Sequence, residues 1–402
     1  MNTGAKRTSR FRVPVRLLCW ISLPLVLLWP NQIQHATSAL VEFRIPVFLD
    51  SLATRDYLGT LGSRGMALDN QGIRVETLQG DFILASHLEN EAFNPASVIK
   101  IATSLAALEQ FGPDHRFETA FYVDGEVSGG VLEGDLILSS DGDPQMDTND
   151  LVRLARQVVA SGVRRVEGRF AVSGPFTVGN LHQTRQVANY AVRTLRRAGL
   201  RVPDEVSYGP TAGVEVASRH SDPLHEILFY QNAHSVNEIA DRLGEALGGP
   251  RAVEDYLIRK VGIPDDEVHV ARASGLRRNR ITARGTVLIL RRLVEWLDNH
   301  GMEPGDVLPV AGVDPGTLRL RFNSRTERGA VVAKTGTLVS TDGGVSSLAG
   351  ILYTEDYGPL LFAILNARGP VLEYRRFQDE FVRDLLAEYG GRPVTTLSRR
   401  GL

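Results

Sequence analysis

Lys100 and Lys334 stand out in a chain that otherwise writes its positive charge as arginine. Of 45 basic residues, only Lys6, Lys100, Lys260 and Lys334 are lysines. Arginine stays protonated at any physiological pH, whereas a lysine amine gives up its proton when burial or a neighbouring cation disfavours the charge. Lys100 lies three residues after Ser97 in "NPASVIKIATSLAALEQFG", residues 94–112. Pro95 suits a helix start, and Ile99, Ala102, Leu105, Ala106 and Leu108 supply an apolar stripe. Positions i and i+3 share one helix face, so Ser97 and Lys100 are placed to meet. A serine hydroxyl is a weak nucleophile near neutral pH and needs a base beside it; a free amine is such a base. The plainer readings are a helix-capping serine and a surface lysine.

The pair does not stand alone. Ser235-Val236-Asn237 follows in "HSVNEIAD", and Lys334-Thr335-Gly336 in "AKTGTL". Ser-x-x-Lys, Ser-x-Asn and Lys-Thr-Gly, in that order, form the serine acyl-transferase set of penicillin-binding proteins and β-lactamases. The stretches "GDLILSSDGDP", "LPVAGVDPGTLRLRF" and "SSLAGIL" sharpen this. From roughly residue 60 to residue 390 the chain resembles the D-alanyl-D-alanine carboxypeptidase/endopeptidase family, the class-C low-molecular-mass penicillin-binding proteins.

The resemblance implies an α+β chain with the penicillin-recognising serine acyl-transferase fold, an antiparallel sheet flanked by helices, carrying an inserted β-rich subdomain. It implies Ser97 as nucleophile and Lys100 as its base, made available by burial and by the charge of Lys334. Ser235 would relay a proton between Lys100 and the leaving amine, and Asn237 would bind the substrate's peptide carbonyl. Ser235 and Glu238 also match a plain capping box. Lys334, Thr335 and Thr337 would bind the substrate's terminal carboxylate. Gly336 would leave room for substrate beside an edge strand, and the backbone N–H groups of Ser97 and Thr337 would form the oxyanion hole. No cofactor or metal is implied. The partners are peptidoglycan stem peptides and β-lactam antibiotics. Three features depart from the family pattern: a shorter insertion between the first two motifs, Val236 in the second motif, and Arg272-Ala273 before Ser274-Gly275-Leu276.

The elements that must position these residues are legible in part. "IRVETLQG" and "DFILASHLE" have strand spacing around a turn. From 117 to 220 short strand-like runs and glycine turns surround two amphipathic helices, "DLVRLARQVVASG" and "VANYAVRTLRRAG". Helices return after 222, then three strands, "GAVVAKTG", "GGVSSLAGILY" and "PLLFAILNA", and a last helix, "EYRRFQDEFVRDLLAEYG". The expected organisation is a signal peptide at 1–39, a transpeptidase-like domain split between 40–116 and 221–402, and the inserted subdomain at 117–220.

Residues 17–30, "LLCWISLPLVLLWP", follow a basic stretch and precede small residues, as in an export signal. Export to the periplasm or envelope of a bacterium is expected, with membrane contact only if that segment is retained. The single cysteine, Cys19, lies within it, which removes disulfides and a thiol nucleophile from the mature chain. A net charge of −2 gives no drive toward nucleic acid, and Arg277-Arg278-Asn279-Arg280 reads as a solvated loop. His220, His225 and His234 match no zinc spacing. "DGDPQMDTND" reads as a turn and helix cap rather than a calcium loop.

Two other functions compete. A serine β-lactamase of class A would need a deacylating glutamate, and no Glu-x-x-Leu-Asn is present. Tyr230-Gln231-Asn232 matches the Tyr-x-Asn of class C β-lactamases. The third reading is a non-catalytic cell-wall-binding pseudoenzyme.

Overall fold

Two largely apolar runs, Val345–Thr354 and Gly358–Ala367, lie side by side within a six-stranded sheet. A computed structural model describes residues 45–393 apart from 180 and 182; the expected export segment lies outside the described residues. Across the sheet the strands run Val47–Phe48, Phe82–His87, Gln71–Thr77, Gly358–Ala367, Val345–Thr354 and Val331–Leu338. All neighbours are antiparallel except the first pair. Continuous apolar sequence marks a strand covered on both faces, and Val345–Thr354 is buried at every residue but Tyr353. Alternation then sorts the side chains. Leu360, Phe362 and Ile364 pack toward Tyr57, Phe377 and Phe381, whereas Leu361, Ala363 and Leu365 pack toward Leu105, Leu290 and Leu293. Helices Leu52–Ser63 and Val371–Tyr389 therefore cover one face, and Ala283–Asn299 with Lys100–Phe111 the other. This is the α+β architecture expected from the sequence, and among the described residues no helix is long and apolar enough to cross a membrane.

Helix Lys100–Phe111 corrects the expectation of a simple apolar stripe. It is buried on all sides from Lys100 to Leu108, because helices Leu224–His234, Asn237–Ala246 and Ala283–Asn299 pack around it. Ser104 at its centre is fully buried and accepts from Asn232 Nδ2 at 3.0 Å. Asn232 also donates to the Val307 carbonyl at 2.9 Å, and Tyr230 is 51% exposed. The Tyr-x-Asn match thus spends its asparagine on core packing.

A second sheet lies within 117–220, ordered Val214–His220, Glu118–Ser128, Val131–Ser140, Phe170–Ser173 and Val206–Tyr208. Helices Thr148–Ala160 and Thr184–Arg197 pack on it through a hydrophobic cluster of its own. Asp147 caps the first helix in a reciprocal capping box with Asp150, so the acidic run does serve as a cap.

This lobe docks on helix Asn237–Ala246. Arg242 of that helix is 8% exposed and donates to the carbonyls of Pro144 at 2.8 Å, Met146 at 3.3 Å and Gly179. Removing the guanidinium leaves these buried acceptors without it. Arg242→Ala is expected to lower stability by about 2–4 kcal/mol, read from the midpoint of urea denaturation, and Arg242→Lys to recover less than half. An Arg242→Ala protein as stable as its parent would mean that the lobe is held by other contacts.

Candidate active site

The turn that carries Ser97 is set by Asn94. Its Oδ1 accepts from the Ala96 N–H at 3.0 Å, and its Nδ2 donates to the Arg277 carbonyl at 2.9 Å and to Asp342 Oδ2 at 2.8 Å. These bonds hold Ala96 at φ +47°, a left-handed conformation that costs an alanine roughly 1–2 kcal/mol. Ser97 follows in a short 3-10 turn, Ala96–Ile99, that runs into helix Lys100–Phe111. In a 3-10 turn residues i and i+3 eclipse, and Ser97 Oγ lies 2.9 Å from Lys100 Nζ. The helix amino terminus adds partial positive charge near the hydroxyl.

Lys100 is fully buried, which rules out the surface-lysine reading. Its amine also donates to Asn237 Oδ1 at 2.8 Å and to the Ser274 carbonyl. Burial pushes its pKa down to about 7, against the opposing pull of Asp241 and Glu238. Burial thus supplies the cause for which the sequence reading also enlisted Lys334. The repulsion between the two lysines falls on Lys334 instead, which is fully buried and pushed well below its ordinary range by burial and then by Lys100.

The second motif sits at a helix–helix junction. Helix Leu224–His234 ends at Ser235, which adopts φ +57°, and helix Asn237–Ala246 starts two residues later. No side chain caps that second helix, so the capping box does not form. The left-handed turn directs Ser235 Oγ to Lys334 Nζ, 2.9 Å away. Asn237 spends its oxygen on Lys100, which leaves its amide N–H₂ available to a ligand carbonyl.

Lys334, Thr335, Gly336 and Thr337 lie on the edge strand Val331–Leu338. Lys334 Nζ also donates to the Thr335 carbonyl at 2.8 Å, and Thr335 Oγ1 to Thr317 Oγ1 at 2.9 Å. Gly336 has a different reason from the one expected. A Cβ there would come within 2.6 Å of the Pro95 carbonyl oxygen and 3.1 Å of the Ser97 nitrogen. The glycine therefore lets the strand seat against the nucleophile turn rather than making room for substrate.

Ser97, Ser235, Asn237, Thr335 and Thr337 line one cleft of about 380 Å³. Its remaining walls include Leu276, Thr317, Leu338, Arg321 and Arg375, none of which the sequence reading named as a site residue. Sequence reasoning also missed Asp241, one helical turn after Asn237. Asp241 accepts from the Ser274 N–H at 3.0 Å and pairs with Arg272, so the unusual arginine neutralises a carboxylate beside the site. The arginine-rich run is only partly a solvated loop. Asn279 is fully buried, accepts from the N–H groups of Ala271 and Arg272 at 2.9 and 3.1 Å, and donates to Leu276. Arg280 pairs with Asp342 at 2.9 Å.

Comparison with known proteins agrees with the fold. A 94-residue stretch is 39% identical to a D-alanyl-D-alanine carboxypeptidase of Actinomadura sp. (strain R39), covering 23% of this chain and 17% of that relative. The fold matches penicillin-binding protein 4 (dacB) of Haemophilus influenzae with a TM-score of 0.65 at 21% identity, over 79% of this chain and 96% of that one. It also matches a penicillin G-acylated predatory endopeptidase, Bd3459 of Bdellovibrio bacteriovorus, in complex with an immunity protein. There the TM-score is 0.61 at 20% identity, over 81% of this chain and 94% of that one. The D-Ala-D-Ala carboxypeptidase 3 (S13) family matches residues 63–175 and 176–382, most of the chain, and this protein belongs to that family.

Proposed function

We propose that this protein is an exported serine D,D-peptidase of the bacterial cell envelope. It removes the terminal D-alanine of peptidoglycan stem peptides, cleaves the D,D-cross-links between them, or does both, through an acyl-enzyme on Ser97. Penicillins acylate the same serine. The observation that carries this reading is the 2.9 Å contact between Ser97 Oγ and a fully buried Lys100 amine, opening on a cleft walled by Thr335 and Thr337.

The proton steps follow from the hydrogen bonds. Neutral Lys100 takes the Ser97 proton as Oγ attacks the carbonyl carbon of the penultimate D-alanine. The oxyanion is held by the N–H groups of Ser97 and Thr337, each worth roughly 3 kcal/mol in the transition state. The C–N bond breaks as the leaving nitrogen takes the Ser235 proton. Ser235 is replenished by Lys334, its partner at 2.9 Å, rather than directly from Lys100. Deacylation runs in reverse through the same groups. Water attacks where the amine stood and gives its proton through Ser235 to Lys334. Lys100 returns its proton to Ser97 as the ester bond breaks. Asn237 Nδ2 holds the substrate's preceding carbonyl.

The direct test is release of D-alanine from a peptide ending in D-Ala-D-Ala, with labelling of Ser97 by a fluorescent penicillin. Both are expected; labelling without release on any D,D-peptide would leave the pseudoenzyme reading. Since Lys100 acts as a free amine, the acylation rate is expected to fall about tenfold per pH unit below about 7. A rate flat down to pH 5 would exclude Lys100 as the base.

The buried amine also has a stability cost. Holding a group whose ordinary value is 10.5 down to about 7 costs the fold roughly 5 kcal/mol at pH 7 and below, a cost relieved as pH rises toward 10.5. Lys100→Met removes that cost but strands the Asn237 and Ser274 acceptors, worth about 1–3 kcal/mol. The variant is expected to lose acylation and to gain about 2 kcal/mol in urea denaturation at pH 7. Lost stability together with lost activity would mean that the amine is a structural anchor.

The acyl-enzyme's lifetime separates peptidase from β-lactamase. The peptide's amine departs and admits water, whereas penicillin's amine stays tethered by the opened ring. Intact-protein mass spectrometry after a brief penicillin pulse is expected to find the adduct for minutes to hours. Its loss within seconds, with hydrolysed antibiotic accumulating, would make this chain a β-lactamase.

A further inference from the structure

We infer that Arg375, on the C-terminal helix Val371–Tyr389, is the cation that binds the substrate's terminal carboxylate. This deepens the D,D-peptidase reading and rests on it.

A terminal carboxylate lying beside Thr335 and Thr337 needs a positive partner, and the cleft offers three candidates. Lys334 is fully buried and its amine is engaged by Ser235 and by the Thr335 carbonyl. Burial and Lys100 both work against its charge, which suits a proton carrier better than a permanent counter-ion. Arg321 lines the cleft but donates its Nε to Asp379 Oδ1 at 2.7 Å, so its charge is spent inside the protein. Arg375 also lines the cleft, is only partly buried, and among the described residues has no carboxylate partner.

The hydrogen bonds fit the assignment. Arg375 Nη2 donates to Thr337 Oγ1 at 3.2 Å. The threonine oxygen is then an acceptor from protein, and its own proton is free to turn to a ligand. The planar guanidinium keeps further donors for a two-pronged contact with a carboxylate, a geometry that an ammonium cannot offer. Arg375 belongs to no motif, and the sequence marks it only as one polar residue of an amphipathic helix.

The test compares ligands with and without the carboxylate in the Arg375→Ala and Arg375→Gln proteins, after urea denaturation has verified folding. Hydrolysis of a D-Ala-D-Ala peptide acid is expected to lose about 30-fold in kcat/KM, mostly through KM, with Arg375→Lys intermediate. Hydrolysis of the same peptide ending in D-alaninamide is expected to change less than twofold. Acylation of Ser97 by benzylpenicillin is expected to slow by a similar factor, and acylation by its methyl ester to stay unchanged. Equal losses for acid and neutral ligands, or no loss for either, would overturn the assignment. If the parent protein cleaves neither peptide, the peptidase reading fails, and the comparison of penicillin with its ester still decides the role of Arg375.

Discussion

Everything in this site depends on taking one amine out of water. Lys100 can act on Ser97 only if its proton is weakly held, and three acceptors surround its nitrogen, each of which favours the ammonium. Two carboxylates, Asp241 and Glu238, pull the same way. Burial outweighs them because the helix is enclosed from Lys100 to Leu108, which leaves the Lys100 side chain buried. The pairing of Asp241 with Arg272 helps, since the arginine draws off part of the nearer carboxylate's field.

Desolvation alone does not aim the groups, and the backbone carries that part. Ala96 and Ser235, next to the nucleophile and within the second motif, both hold left-handed conformations unusual for their residue types. At Ala96 neighbouring backbone closes on the turn. Gly275 approaches so near that a Cβ would lie 2.1 Å from the Ala96 carbonyl oxygen. Gly336 approaches on the other side, where a Cβ would lie 2.6 Å from the Pro95 carbonyl oxygen. Two motifs distant in sequence therefore clamp the nucleophile turn from both flanks, and the strain is held by packing that any side chain there would break.

These constraints explain what the sequence revealed and what it concealed. Ser97, Lys100, Ser235, Asn237 and Lys334 were legible as candidates because they stand in short motifs of fixed residue type. The covered strands Val345–Thr354 and Gly358–Ala367 were legible because burial on both faces favours nearly continuous apolar sequence. The Ser274 carbonyl was not legible, since a backbone oxygen has no sequence signature. Asp241 and Arg272 lie 31 residues apart and Thr337 and Arg375 lie 38 apart, so only the fold reveals that each pair meets. Gly336 was misread for a related reason. A missing side chain looks the same in sequence whether the space goes to substrate or to another stretch of the same chain.

Helix Asn237–Ala246 gives the inserted lobe a physical connection to the chemistry. Its first residue bonds the Lys100 amine, and Asp241, one turn on, holds the Ser274 N–H whose carbonyl also accepts from that amine. On the next residue, Arg242 gathers carbonyls from the lobe at Pro144, Met146 and Gly179. A ten-residue helix does not bend under such contacts, so a shift of the lobe would move Asn237 and Asp241 as one body. Lobe docking and amine placement are therefore parts of one packing problem, although the lobe itself contributes none of the residues named in the proton steps. A shorter insertion can change which wall fragments reach the cleft and still keep the acylation geometry, provided that the loops which meet Arg242 are retained.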